Sequence, residues 1–171
     1  MPRLLFETPR LIGRQLAAMD TDALLQVYGD KDAMRWVGDG EPLPREDCVR
    51  WVEVTENNYA RRGYGMSALV LRESGAVIGF CGLVHPGGQD EAEIKYALVR
   101  DHWGQGLATE AVGAMLAYGV QAFELSRVIA TIYPENRASQ RVLEKVGMRV
   151  SEDRSNDDGS VTRVLVWEKS S

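Results

Sequence analysis

Little in this chain points to disulfide, metal or membrane chemistry. Its two cysteines, Cys48 and Cys81, stand far apart and form no CxxC or other metal-ligand spacing. They read as buried small hydrophobes in a reducing compartment, with no metal expected. No apolar run approaches membrane-spanning length, and Met1 to Arg10 lacks the apolar stretch of a signal peptide, so a cytoplasmic location without membrane contact is expected. A basic surplus is missing too. The formal net charge is -5 and the isoelectric point is near 5.1. Nothing therefore displaces counterions from a phosphate backbone, which argues against a nucleic-acid partner, whereas a cationic amine or a basic polypeptide segment is tolerated. Internal repeats and low-complexity segments are absent.

What is present is ordinary globular material: 171 residues, 44% apolar and 26% charged, enough to bury one core and expected to form a single domain over residues 1–171. Thr8 to Leu16 has the alternation of a first strand. Asp20 and Thr21 offer N-cap chemistry to a helix carrying Ala23, Leu24, Val27 and Tyr28 on one face and ending at Gly29, and KDAMRW reads as a second short helical piece. Val37 to Arg45 is rich in Gly and Pro and must be a loop. A helix from Glu46 to Arg62 follows, stopped by Gly63. MSALVL, AVIGFCGLV and AEIKYALV then read as an antiparallel meander.

After Val99 the pattern changes. A helix from Leu107 to Phe123 leads to the strand RVIATIY, which implies one parallel βαβ crossover. A short helix from Ala138 to Val146, ending at Gly147, and two further strands, MRVSED and SVTRVLVWE, close the chain as a hairpin. The fold class read from this order is α/β (α+β): a mixed, mostly antiparallel sheet of about seven strands with one parallel step, flanked by about four helices.

The stretch RDHWGQG joins a strand to a nearly all-apolar helix. Gly104 and Gly106 lack a Cβ, so the backbone there can approach a ligand closely, and the first amides of the helix are unpaired where the macrodipole favours negative charge. That makes a candidate phosphate cradle, although an ordinary tight connection has the same form. On the preceding strand, alternation sets Glu93 and Lys95 on one face and Ile94, Tyr96 and Leu98 on the other. A carboxylate there is an odd core filler, but Glu93 and Lys95 could also pair with each other or form a solvated face. Asn136 and Ser139 open the short helix near the mouth of the parallel pair, where ligands of mixed sheets bind. Trp36, Asp39 and Glu41, in and beside the loop, are candidates for the substrate side.

Taken together, VRDHWGQGLATEA and, about thirty residues later, NRASQRVLEKVGM resemble the two signature segments of GNAT acyl-CoA-dependent N-acetyltransferases. The likeness is to the RimJ/RimL-like branch of ribosomal-protein N-terminal acetyltransferases, and it covers nearly the whole chain. It implies the acyl-CoA N-acyltransferase fold, acetyl-CoA as cofactor, and acetyl transfer to an amine by direct attack in a ternary complex. By that resemblance Trp103, Gly104, Gln105, Gly106, Leu107, Ala108 and Thr109 form the cradle for coenzyme A, with Trp103 where the family carries a basic or amide residue. Ala97, Leu98 and Val99 face Ile132 and Tyr133 across a gap that takes the pantetheine arm, a backbone N–H near Leu98 polarises the thioester carbonyl, and Asn136 and Ser139 meet the thiol end.

The same resemblance assigns Glu93 as general base, through a water or as an anchor for the cation. Many members carry a tyrosine seven residues after the asparagine as acid for the leaving thiolate; this chain has Leu143 there, which leaves Ser139 to take that part. The acceptor, a peptide N-terminus or a small-molecule amine, would be bound by the loop around Trp36 to Arg45 and by the terminal hairpin. Sheet edges at Met66 to Leu71 and in that hairpin offer contacts for a homodimer. Two other readings remain open at this level: an acyl-CoA-binding module without catalysis, and a dinucleotide-binding oxidoreductase, whose third fingerprint glycine is missing.

Overall fold

A computed structural model describes residues 2–37 and 40–170. Eight strands form one sheet in the order β1-β2-β3-β4-β5-β6-β8-β7: β1 Leu4–Glu7, β2 Leu11–Gln15, β3 Met66–Leu71, β4 Val77–Val84, β5 Ala92–Leu98, β6 Arg127–Ile132, β7 Arg149–Ser155 and β8 Val161–Glu168. The helices are α1 Thr21–Tyr28, α2 Arg45–Arg62, α3 Leu107–Phe123 and α4 Arg137–Lys145. Every neighbouring pair of strands is antiparallel except β5 with β6, the two joined through α3. One parallel step among antiparallel strands is not the doubly wound sheet that a dinucleotide site requires.

Both faces of the sheet are covered, and period-two alternation distributes the strand residues between them. Met66, Ala68 and Phe80 pack under α1 and α2 with Leu24, Val27, Cys48 and Val52. Leu69, Cys81, Leu83, Ile94 and Leu98 pack under α3, whose Leu107, Ala111, Val112 and Met115 are fully buried. A small third cluster, Ile129, Val164 and Val166, fills the β6–β8 end of the other face. Helix α2 is amphipathic, and Gly63 ends it at φ 85°.

Three local readings of the sequence change in the structure. The first strand of the alternation, Thr8 to Leu16, is a tight turn followed by β2: the Thr8 N–H donates to the Leu11 carbonyl at 2.9 Å. The extra strand, β1, is a four-residue edge with a half-buried centre and exposed ends, too short for a period to show. Asp20 does not cap α1 with its side chain. It accepts a forked pair of hydrogen bonds from Arg14 at 2.7 and 2.9 Å and another from the Ala17 N–H, because a neighbouring guanidinium is the stronger donor. KDAMRW forms consecutive turns and no helix.

Gly79 sets how closely β4 and β5 approach at the end that matters below. A Cβ there would lie 2.4 Å from the Ala97 carbonyl oxygen and 2.5 Å from a Leu98 methyl, with backbone on one side unable to yield. Gly79→Ala is expected to destabilise the fold by roughly 1–3 kcal/mol, the usual range for overpacking, as read by urea denaturation.

Candidate active site

Strands β5 and β6 pair only at Ala92 with Val128 and Glu93 with Ile129. Beyond that point they part, and a cleft of about 1250 Å³ opens between them. Small-molecule sites run to roughly 300–1,000 Å³, so this space suits a long ligand. Residues 94–98 line one side and 130–133 the other, and the cleft runs on to Asn136 and Ser139 and to the head of α3. The gap therefore opens several residues earlier than one bordered by Ala97, Leu98 and Val99 against Ile132 and Tyr133.

The main chain of β5 is itself a functional surface. Its ladder with β4 is antiparallel, and the Val99 N–H donates to the Ile78 carbonyl at 2.7 Å. Alternation then turns the N–H and C=O groups of Leu98 and Tyr96 away from β4, toward the gap. The indole N–H of Trp103 takes the Leu98 carbonyl at 2.9 Å, which ties the cradle loop to the strand. Val99, held by β4, does not line the cleft; Ala97 and Leu98 do.

At the head of α3, Gly104 and Gly106 adopt φ values of 72° and 79°, which L side chains rarely take. Gly106 is the N-cap and offers no side chain, and the Glu110 N–H is the first to close a helical bond, to Gly106 at 3.1 Å. The amides of Leu107, Ala108 and Thr109 are left without an acceptor in the helix and add to its positive end. Gly104, Gly106, Leu107, Ala108, Thr109 and Trp103 all line the cleft. Gln105 instead braces the loop, donating to the Asp101 carbonyl at 3.3 Å while its own carbonyl accepts from Arg10 at 2.8 Å.

That brace was not legible in the sequence. Glu110 accepts from Thr8 Oγ1 at 2.5 Å, from the Arg10 N–H at 3.0 Å and from Arg10 Nε at 2.8 Å, which fastens the β1–β2 turn to the first turn of α3. The carboxylate is thereby balanced beside the positive end of α3.

Glu93 is 3% exposed and fully engaged. Lys95 Nζ lies 2.6 Å from Oε2, Thr131 Oγ1 donates to the same oxygen at 2.7 Å, and Gln89 Nε2 donates to Oε1 at 3.2 Å. The two residues on this face pair with each other, and it is Lys95 rather than Glu93 that lines the cleft. His85, also on the wall, shares a 2.7 Å hydrogen bond with Tyr64 and lies 3.0 Å from the Gln89 carbonyl. A carbonyl only accepts, so Nδ1 carries a proton, and in the neutral ring Nε2 accepts from Tyr64.

On the opposite face of β5, Tyr96 Oη lies 2.5 Å from Ser139 Oγ. Asn136 caps α4 by accepting the Ser139 N–H at 3.2 Å, which places the serine in the first turn. Burial pushes the Tyr96 hydroxyl up to about 12, the hydrogen bond to Ser139 acting in the opposite direction. Leu143 is fully buried in the core and adds only apolar atoms to the cleft wall, with no proton to give. Sequence periodicity assigns Tyr96 only to the apolar face; its polar tip is visible once α4 is in place.

On the cleft wall, Trp36 packs against Tyr133 with ring centroids 5.7 Å apart and planes tilted by 48°, and the Arg35 guanidinium lies 4.8 Å over the indole. Asn156, Ser160 and Thr162 of the β7–β8 hairpin close the same end. Glu41 is exposed and does not line the cleft, and Asp39 lies outside the described residues. Among the described residues no group of three or more His, Cys, Asp or Glu could hold a metal ion, and no helix is long and apolar enough to cross a membrane.

Residues 10–149 match the family model described as an acetyltransferase (GNAT) domain. The chain is 30% identical over 148 residues to the uncharacterized N-acetyltransferase YoaA of Bacillus subtilis (strain 168), covering 85% of this chain and 82% of that one. A GNAT-family acetyltransferase from Bacillus anthracis superposes with a TM-score of 0.81 at 25% identity over 98% of both chains. RimL, a ribosomal L7/L12 alpha-N-protein acetyltransferase solved with coenzyme A, shares the fold at TM-score 0.83 and 16% identity, over 97% of this chain and 98% of that one.

The Glu110 anchor generates a pH prediction. Burial raises its carboxyl, but the hydrogen bonds from Thr8 and Arg10 outweigh that and hold it below its ordinary value of 4.5. Its contribution to stability is therefore complete above the unfolded value and lost as pH falls through the folded one. Urea-denaturation midpoints should drop on acidification below about 4.5, and Arg10→Ala should flatten that part of the profile.

Proposed function

The chain belongs to the GNAT acetyltransferase family, and from that premise we propose that it transfers the acetyl group of acetyl-CoA to a primary amine by direct attack in a ternary complex. One observation carries the reading: the unpaired amides at the head of α3 stand at the mouth of the gap between β5 and β6. A diphosphate on those amides directs a long flexible arm into the gap, where it can bond to the open edge of β5 as an added strand would. The thioester carbonyl then meets the N–H of Leu98 or Tyr96, donors fixed before the reaction and costing no reorganisation. The cofactor contacts are Ala97, Leu98, Trp103, Gly104, Gly106, Leu107, Ala108, Thr109, Asn136 and Ser139, with Val99 and Gln105 supporting from behind.

The acceptor enters at the end bounded by Trp36, Tyr133, Lys95 and the β7–β8 hairpin. A peptide α-amine, with a reference pKa near ~7.7, is already partly free at neutral pH, whereas an alkylamine near ~10.4 needs a base. A peptide or protein N-terminus therefore suits a site whose carboxylate already holds three donors. The likeness in shape to RimL supports the same acceptor class and a RimJ/RimL-like assignment. Glu93 serves that amine indirectly, holding Lys95 and taking the proton through water. The chain works as one N-acetyltransferase domain over residues 1–171 in the cytoplasm, with no nucleic-acid or membrane partner, and two copies join as a homodimer through the open edges β1 and β7; Met66–Leu71, expected as an edge, is β3 and is paired on both sides.

Thermal unfolding with acetyl-CoA and with NAD, followed by thiol release over a panel of peptides and small amines, tests the reading. Stabilisation by acetyl-CoA and turnover on peptide N-termini are expected. Stabilisation by NAD alone would overturn it, and acetyl-CoA binding without turnover on any amine would reduce the chain to a cofactor-binding module. Glu93→Gln is expected to lower kcat about 10²-fold, the lower end of general-base effects, with the acetyl-CoA Kd nearly unchanged. Equal losses in both would mark Glu93 as a purely structural residue.

A further inference from the structure

The alternation of β5 sets two polar groups on opposite faces of the sheet, with the gap between them. Glu93 and Lys95 stand on the α1–α2 side, and the Tyr96 hydroxyl stands on the α3–α4 side, 2.5 Å from Ser139 Oγ. An acceptor approaching past Lys95 attacks the thioester from the first face, and the sulfur then departs toward the second. We infer that Tyr96 is a positioning residue for the leaving group: its O–H donates to Ser139 Oγ, which aims the serine O–H at the sulfur of the cofactor. This inference rests on the acetyl-transfer reading above and assigns a role to a side chain that reading leaves unused.

A serine hydroxyl alone rotates freely and can donate or accept. Here the Ser139 backbone N–H is committed to Asn136 and its oxygen lies within bonding distance of Tyr96, so the proton of Oγ is the one group left to point into the cleft. Tyr96 is suited to remain the donor, because burial keeps its hydroxyl protonated throughout the working range. In the reaction the C–N bond forms and the C–S bond breaks, and the electron pair of the latter stays on sulfur as a thiolate. The attacking nitrogen releases one proton through water to Glu93, which passes it on to solvent, and the thiolate takes one from water after it has left. No proton has to leave Tyr96. The Ser139 O–H stabilises the thiolate by a charge-assisted hydrogen bond, the kind that strengthens as negative charge develops. Leu143, buried in the core, cannot take this part.

The test reads the thiol of bound coenzyme A directly and needs no acceptor. Ultraviolet thiolate absorbance is followed against pH for coenzyme A on the wild-type protein and on the Tyr96→Phe and Ser139→Ala variants. Bound to the wild type, the thiol should titrate below the midpoint that free coenzyme A shows in the same buffer. Each variant should raise it by about one unit, a tenfold effect, and the double variant no further than Ser139→Ala alone. With a reactive amine, kcat should fall about tenfold in each while the KM for acetyl-CoA stays within about twofold. A wild-type protein that binds no coenzyme A overturns both the proposed activity and this assignment. Binding with a thiol titration that Tyr96→Phe leaves unmoved overturns the assignment alone, and so does a loss confined to KM. Thermal unfolding of the Phe variant, which keeps the ring, reports whether the fold is intact.

Discussion

The separation of β5 from β6 after two residue pairs is the constraint on which the site depends. Each strand is fully committed to its outer neighbour: β5 pairs with β4 from Glu93 to Leu98, and β6 with β8 from Arg127 to Ile132. Sheet twist accumulates between neighbours, and here the seam between two well-paired antiparallel halves is where the strands diverge. Helix α4, starting directly after β6 and packed against α3, occupies the divergent side and brings Ser139 to the opening. A continuous parallel ladder at that seam would consume the amides that a ligand needs.

The carboxylates around the opening are held by cationic or hydrogen-bonding partners. Glu110 is bound by Arg10 and Thr8, Glu93 by Lys95, Thr131 and Gln89, and Asp32 by Arg100 at 2.7 Å. Directed at an incoming anion are the positive end of α3 with its free amides and, on the cleft wall, Arg141 and Lys145 of α4. Buried carboxylates kept on three donors are costly to dislodge, so these anchors also stiffen the loop and strand edges that a ligand would contact.

Much of this arrangement was legible in the chain itself. The glycines of RDHWGQG followed by an unbroken apolar helix announced α3 with its bounds, because backbone freedom and a long apolar face are local properties. Period-two alternation separated Glu93 and Lys95 from Ile94, Tyr96 and Leu98 correctly, since it follows from strand geometry alone. Strand β1 was not legible, because four residues at an edge carry too short a pattern. Nor was the absence of an Asp20 cap, decided by Arg14 six residues upstream competing for the same carboxylate.

Apart from β1, the order of strands and helices and the one parallel crossover could be read along the chain, since they follow from patterns among near neighbours. Which polar groups meet follows from the packing of distant segments. Thr8 and Arg10 reach Glu110 across about a hundred positions, Thr131 reaches Glu93, and Tyr96 reaches Ser139 across 43. Hydrogen bonds of that kind depend on where twist and packing bring distant segments to within 3 Å or so, and no periodicity within either segment carries that information.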